Sequence, residues 1–179
     1  AGSTVAFVGG TTGNSTFDGA YTSQGTTNFS GGRVIFDGTY NGSVTNLAGG
    51  SATFNAAYTG GVTNISHADS VVRFEGVGAH TTSGLNLSAG TLTGAGVLSL
   101  SGAGTWTGGQ LGSADRASGE LDIVAGGELV VTGSSAKTIN NSYALRTFWQ
   151  GSVRLQDADI LGSGDIVNEG TFDFAGDGS

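Results

Sequence analysis

The sequence predicts an all-β fold, a right-handed parallel β-helix (β-solenoid) with coils of about 18–23 residues, and three observations carry that reading. The first is a recurring segment: Ser15-Thr16-Phe17-Asp18-Gly19-Ala20-Tyr21, Val34-Ile35-Phe36-Asp37-Gly38-Thr39-Tyr40 and Ala52-Thr53-Phe54-Asn55-Ala56-Ala57-Tyr58, with a weaker copy at Val72-Arg73-Phe74-Glu75-Gly76. Its phenylalanines are 19, 18 and 20 residues apart. The second is a parallel series, Thr27-Asn28-Phe29, Thr45-Asn46-Leu47 and Thr63-Asn64-Ile65, spaced by 18 and 18. The third is composition: 35 Gly among 179 residues, no Pro, and a predominance of Thr, Ser, Val and Asn, which disfavours helix and supplies turns. A period near 20 with no helical segment is that of a stack in which each coil leans on the last.

Taken in chain order, Thr4-Val5-Ala6-Phe7 reads as a first strand. Val34 with Phe36, Ala52 with Phe54 and Val72 with Phe74 each share a face by the two-residue period. The residue between them is Ile35, Thr53 or Arg73, and a position that accepts Arg faces solvent. Phe17, Phe36, Phe54 and Phe74 are therefore expected to stack as an interior ladder. Asp18, Asp37, Asn55 and Glu75 then point outward beside glycine-marked turns. Asn28, Asn46 and Asn64 are expected to form a structural ladder at bends, because Asn tolerates left-handed backbone and stacked amides hydrogen-bond up a solenoid. Tyr21, Tyr40 and Tyr58 are expected to form an outward column, able to pack together or to meet a neighbouring surface or a sugar.

From about Gly84 the pattern loosens into short alternating strands, among them Val97-Leu98-Ser99-Leu100, Thr105-Trp106-Thr107, Glu120-Leu121-Asp122-Ile123-Val124 and Thr171-Phe172-Asp173-Phe174. The expectation is one solenoid over 1–179, with short regular coils in 1–83 and longer coils of three short strands in 84–179. A small excursion is expected at Gly112-Ser113-Ala114-Asp115-Arg116-Ala117-Ser118.

The chain has 14 acidic and six basic residues, a net charge of −8. Without a basic patch, neither nucleic acid nor an anionic membrane surface is an expected partner. There is no Cys for disulfides or thiolate metal sites, no apolar run approaching a membrane span, and no signal peptide. Beginning at Ala1, the sequence reads as a mature chain or one excised from a longer protein.

Gly96-Val97-Leu98-Ser99-Leu100-Ser101-Gly102-Ala103-Gly104-Thr105-Trp106-Thr107-Gly108-Gly109 resembles the passenger-associated repeat of bacterial autotransporters, G-x-L-x-L-x-G-x-N-T-Y-T-G-G. Gly104 stands in place of its Asn and Trp106 in place of its Tyr. Asn168-Glu169-Gly170-Thr171-Phe172 looks like β-helix passengers and large surface-repeat adhesins more generally. The resemblance implies a secreted or surface-displayed bacterial rod, structural or adhesive, and the acidic, Cys-free composition fits that setting. Its expected partners are further copies, neighbouring repeats of a longer chain, glycans or a host or cell surface. It transfers no catalytic residues.

The competing reading is a carbohydrate-binding or carbohydrate-cleaving β-helix, which needs clustered carboxylates on one outer face. Asp157 and Asp159, two apart in an expected strand, are the best local pair, with Asp122 and Asp173 able to join if the stacking register allows. Solvated outward carboxylates are the simpler expectation, and the sequence predicts no enzyme. His67 and His80 lack metal-ligand spacing and read as surface-turn residues. No cofactor is expected. Weak calcium binding stays open at Gly162-Ser163-Gly164-Asp165 and Gly176-Asp177-Gly178, which lack the repeated calcium nonapeptide. Thr91-Leu92-Thr93 and Thr105-Trp106-Thr107 raise ice binding as a remote alternative, but they are 14 apart and do not continue as an array.

Overall fold

The computed structural model of the chain describes residues 3–8, 14–76, 78–114, 119–140 and 143–175. Every strand pair in it is parallel, and each strand between the ends of the stack hydrogen-bonds to the strand one coil before and one coil after it. This is a β-solenoid with two principal walls. The narrow wall stacks Asn14–Phe17, Arg33–Phe36, Ser51–Phe54, Val71–Phe74, Thr91–Thr93, Gly109–Leu111, Lys137–Ile139 and Ile160–Gly162. The broad wall begins with Thr4–Val8, Tyr21–Gly31, Tyr40–Leu47, Tyr58–Ile65 and His80–Leu87.

The broad wall divides after His80–Leu87. His80, Thr81 and Thr82 pair with Leu98, Ser99 and Leu100, whereas Leu85, Asn86 and Leu87 pair with Gly104, Thr105 and Trp106. One long strand is thus continued by two short ones. The first branch runs on through Glu120–Ile123, Ala144–Thr147 and Asp165–Asn168, the second through Glu128–Thr132, Ser152–Gln156 and Thr171–Phe174. Turn residues inserted between the branches cause the division: Ser101-Gly102, then 124–127, then 148–151, then Glu169-Gly170. Coils therefore carry three short strands beyond Leu87. Their lengths exceed the expected range in the middle coils, slightly in the two branches, where Ala103 pairs with Glu128 and Glu120 with Ala144, and most on the narrow wall. Gly109 pairs with Lys137, a step of 28 residues, because the expected excursion after Leu111 lies inside that coil. Residues 115–118 of the excursion are outside the described residues.

Parallel pairing in register makes each inward position a column of like side chains. Phe17, Phe36, Phe54 and Phe74 stack with ring centroids 5.3, 5.3 and 5.4 Å apart and planes within 17°. Beside them, Val34, Ala52, Val72, Leu92, Leu111 and Ile139 continue the narrow wall's inner face. A third column runs Phe7, Phe29, Leu47, Ile65, Leu87, Trp106, Val131 and Leu155 on the broad wall. Phe36, Phe54 and Phe74 are buried, while Phe17 at the first coil is 37% exposed. The inward positions are therefore as expected, while of the positions between them Ile35 and Arg73 are half-buried and Thr53 is buried rather than open to solvent.

Truncating the middle of the ladder tests this register. Phe54→Ala should lower unfolding free energy by about 3–5 kcal/mol, the range for removing a buried Phe. Denaturant titration would show it as a shift in midpoint, and a near-zero shift would contradict the assigned face.

Candidate functional site

The tyrosines face inward, which corrects the expectation of a surface column. Tyr40 and Tyr58 are buried, Tyr21 is half-buried, and the three rings stack 5.0 and 5.1 Å apart. The reason is local. Each Tyr stands four residues after the inward Phe, an even step, and opens the next strand pointing into the core. A glycine two residues on then makes room for the ring: a Cβ on Gly42 would meet Tyr40 Cε1 at 2.7 Å, and one on Gly60 would meet the Tyr58 hydroxyl at 2.5 Å. A threonine five residues on meets the phenol, with Tyr40 and Thr45 hydroxyls 2.9 Å apart and Tyr58 and Thr63 hydroxyls 2.7 Å apart. Tyr21 reaches Thr27 at 2.9 Å. Burial raises the Tyr40 and Tyr58 phenol pKa values above the ordinary value, so both stay neutral. The hydroxyl chain passes from Thr63 to Thr82 at 3.0 Å and ends where Thr82 donates to the Gly84 carbonyl at 2.7 Å.

His80 is the next residue in the tyrosine column, paired to Tyr58, and it too is buried rather than set in a surface turn. Its ring lies 5.1 Å from that of Phe74, and its Nε2 is 3.1 Å from the Glu75 carbonyl oxygen. Burial lowers its pKa, keeping it neutral. His67 does occupy an exposed turn, where its Nδ1 accepts from the Asp69 backbone N–H at 3.2 Å.

The asparagines form a ladder, but on the outer face of the broad wall rather than at bends. Asn46 donates to the Asn28 carboxamide oxygen at 2.8 Å, Asn64 to Asn46 at 2.7 Å, and Asn86 to Asn64 at 2.7 Å. Thr105 extends it by donating to Asn86 at 2.8 Å. The fourth amide, Asn86, stands 22 residues after Asn64, outside the 18-residue period that identified the others. A second outer pair, Asn55 donating to Asp37 at 2.6 Å, braces the corner after the phenylalanines.

The carboxylates do not converge as the catalytic reading requires. Asp157 and Asp159 lie in the turn between Ser152–Gln156 and Ile160–Gly162, not in a strand, and Asp157 has a left-handed backbone with φ 46°. The two-residue rule that aligned them therefore does not apply. Asp173 lies in the second branch and faces Arg154, which is 3.8 Å from it and 3.4 Å from Glu128. Asp122 lies in the first branch, between Ser99 and Arg146. Among the described residues no group of three His, Asp or Glu side chains is placed to hold a metal ion. Of the two glycine–aspartate turns, Gly162-Ser163-Gly164 joins two strands, while 176–178 lies outside the described residues. Thr91–Thr93 belongs to the narrow wall and is buried, and Ala103–Trp106 belongs to the broad wall, so the two Thr motifs do not make one flat array.

Asp122 is the most perturbed carboxyl. Only 8% of it is exposed, and its Oδ1 has no hydrogen-bond partner. Burial, with Glu120 beside it, pushes its pKa up to about 6 against the opposing pull of Arg146. Glu120 in turn pairs with Arg146 at 3.4 Å. Asp122 and Glu120 are i and i+2 on one strand, so their shared outer face is readable in the sequence, but the covering that dries Asp122 is not.

The chain matches no protein-family model, no curated protein and no solved structure. Its class is therefore set by the fold: a β-solenoid.

Two measurements probe this polar chemistry. Tyr58→Phe removes one buried hydroxyl and leaves Thr63 its bond to Thr82, so unfolding free energy should fall by about 1–2 kcal/mol in denaturant titration. For Asp122, the unfolded carboxyl releases its proton near 3.8 and the folded one near 6. The folded chain binds more protons between those values, so stability falls as pH rises through that window and stays reduced above it. Asp122→Asn should therefore be more stable than the parent by about 1–2 kcal/mol at pH 7 and no more stable at pH 4. Thermal melts across pH check it, and an equal difference at both values would show that the carboxyl's charge is not what weakens the fold.

Proposed function

We propose that the chain is a structural or adhesive rod module of a bacterial cell-surface or secreted protein, of the autotransporter-passenger or surface-repeat kind. The observation that carries this reading is the continuity of the stack. Among the described residues, inward columns and outward ladders run along the coils without an interrupting domain, and at both ends of the described stack apolar members of the columns are exposed. Phe17 is exposed at one end, Ile166 and Phe174 at the other. At the latter end a groove of about 390 Å³ opens between Leu155, Ile160, Ile166, Phe172 and Phe174. Such surfaces, with unpaired strand edges beside them, suit continuation by another coil, whether from neighbouring sequence or from another copy.

Stiffness follows from the same arrangement, since each coil is hydrogen-bonded to two others and shares its core with both. Eight strands in the narrow wall at about 4.8 Å per coil give a rod of roughly 35–40 Å. The carbohydrate-binding or carbohydrate-cleaving alternative loses the residues first assigned to it, because Tyr40 and Tyr58, its binding column, are interior and Asp157 and Asp159, its carboxylate pair, sit in a turn.

Small-angle scattering and negative-stain microscopy of the purified chain across a concentration series test the reading. Rods of that length, or filaments one coil wide that lengthen with concentration, are expected. Compact isotropic particles at every concentration, or release of reducing ends from a polysaccharide panel, would overturn it.

A further inference from the structure

The turns that join the two branches of the broad wall form a ridge along one edge of the rod, and two of them share a backbone. Gly127 N–H donates to the Val124 carbonyl at 2.8 Å, and one coil later Gly151 N–H donates to the Phe148 carbonyl at 2.8 Å. The third residue has positive φ in both, 82° at Gly126 and 65° at Gln150. Their side chains differ sharply: Ala125-Gly126 in the first turn become Trp149-Gln150 in the second. Glycine is the residue suited to that left-handed position, and Gln is strained there. Trp149 is 78% exposed, whereas Trp106 is buried in the core. The fold requires neither Trp149 nor Gln150, because the preceding coil closes the same turn with Ala and Gly.

The surroundings of Trp149 are polar and acidic. On one side lies the exposed backbone of Ala125 and Gly126, whose N–H donates to the Gln150 carbonyl at 3.1 Å. On the other lies the exposed turn of Glu169. At the base, the Arg146 guanidinium is 5.7 Å from the Phe148 ring centroid and 3.4 Å from the Glu120 carboxylate. Both arginines of these coils, Arg146 and Arg154, are already paired with carboxylates.

We propose that the 148–151 turn is a glycan-binding contact, in which Trp149 is the platform for one ring of a neutral polysaccharide. A sugar ring has an apolar C–H face and a rim of hydroxyls, which suits a flat exposed indole bordered by backbone groups and a carboxylate such as Glu169. An acidic chain would meet unpaired negative charge and no free arginine, so charge selects against it. The contact deepens the adhesive side of the rod reading and rests on it for its biological setting. Its test reads binding in solution and so succeeds or fails separately from rod shape or filament growth.

The test is titration of the whole chain with neutral hexasaccharides of glucose, mannose and N-acetylglucosamine, with polygalacturonate and with oligolysine, followed by tryptophan emission and calorimetry. At least one neutral hexasaccharide should shift the emission of the exposed indole and protect it from acrylamide, and polygalacturonate should do neither. Trp149→Ala should weaken that binding about tenfold or more with an unchanged melting curve, and Trp149→Phe should retain it within a few-fold. Absence of binding by all three neutral sugars at about 10 mM, binding unaffected by Trp149→Ala, or binding of oligolysine alone would each overturn the proposal.

Discussion

In-register parallel pairing between coils is the constraint on which the rest of the molecule depends. Because Phe36 must sit on Phe54 and Tyr40 on Tyr58, each position along a coil repeats its chemistry upward, and a residue acceptable once must be acceptable several times in succession. Flat rings satisfy this by offset stacking near 5 Å, close to the spacing of paired strands. Amides satisfy it on the outside, where each Asn donor meets the acceptor one coil below. The same repetition penalises an unpaired polar group, so the buried phenols persist only because a Thr column runs beside them.

The interior changes character at one coil. Up to Tyr58 the broad wall encloses a hydroxyl-bearing pair of columns. At the next coil His80 replaces Tyr and Leu85 replaces Thr, and Leu98, Leu121 and Leu145 then continue the first column. Thr82, bonded both to Thr63 and to the Gly84 carbonyl, closes the hydroxyl chain where its partners run out. That is also where the long strand begins to divide. Leu side chains need no oriented partner, so later coils are free to vary the turn between their two branches, and the column tolerates insertions that a Tyr–Thr bond of fixed reach would not.

Much of this was legible in the sequence, and the failures have specific causes. The phenylalanine ladder was readable because Arg73 marks the outward neighbour of an inward pair. The tyrosines stand four residues after the inward phenylalanines, an even step that places them on the inner face, so the outward column was a misreading of the period itself. The signal that would have corrected it was present: Tyr40-Asn41-Gly42-Ser43-Val44-Thr45 and Tyr58-Thr59-Gly60-Gly61-Val62-Thr63 repeat a Gly at +2 and a Thr at +5. Asp157 and Asp159 failed for a different reason, the treatment of a turn as a strand. His80 was hidden because its relation to Tyr58 spans 22 residues and lies outside the 18-residue period. The environment of Asp122 depends on side chains from neighbouring coils, above all Arg146, and no local pattern encodes it.

A repetitive fold also changes what counts as a functional signal. In a globular enzyme, a site is sought where unlike residues converge in a cleft. In a stack, most convergence is convergence of like with like, and it serves the stack: the Asn ladder turns each amide toward the one on the next coil. Departures from the repeat carry more information, because the neighbouring coil shows what the fold would accept in their place. His80 departs from the tyrosines inside the core and is explained by the end of the hydroxyl chain. Trp149 and Gln150 depart from Ala125 and Gly126 on the surface, at the expense of a strained backbone and an exposed indole, and nothing in the packing of the rod explains them. An unfavourable choice that the scaffold does not require is where a contact with something outside the scaffold is best sought.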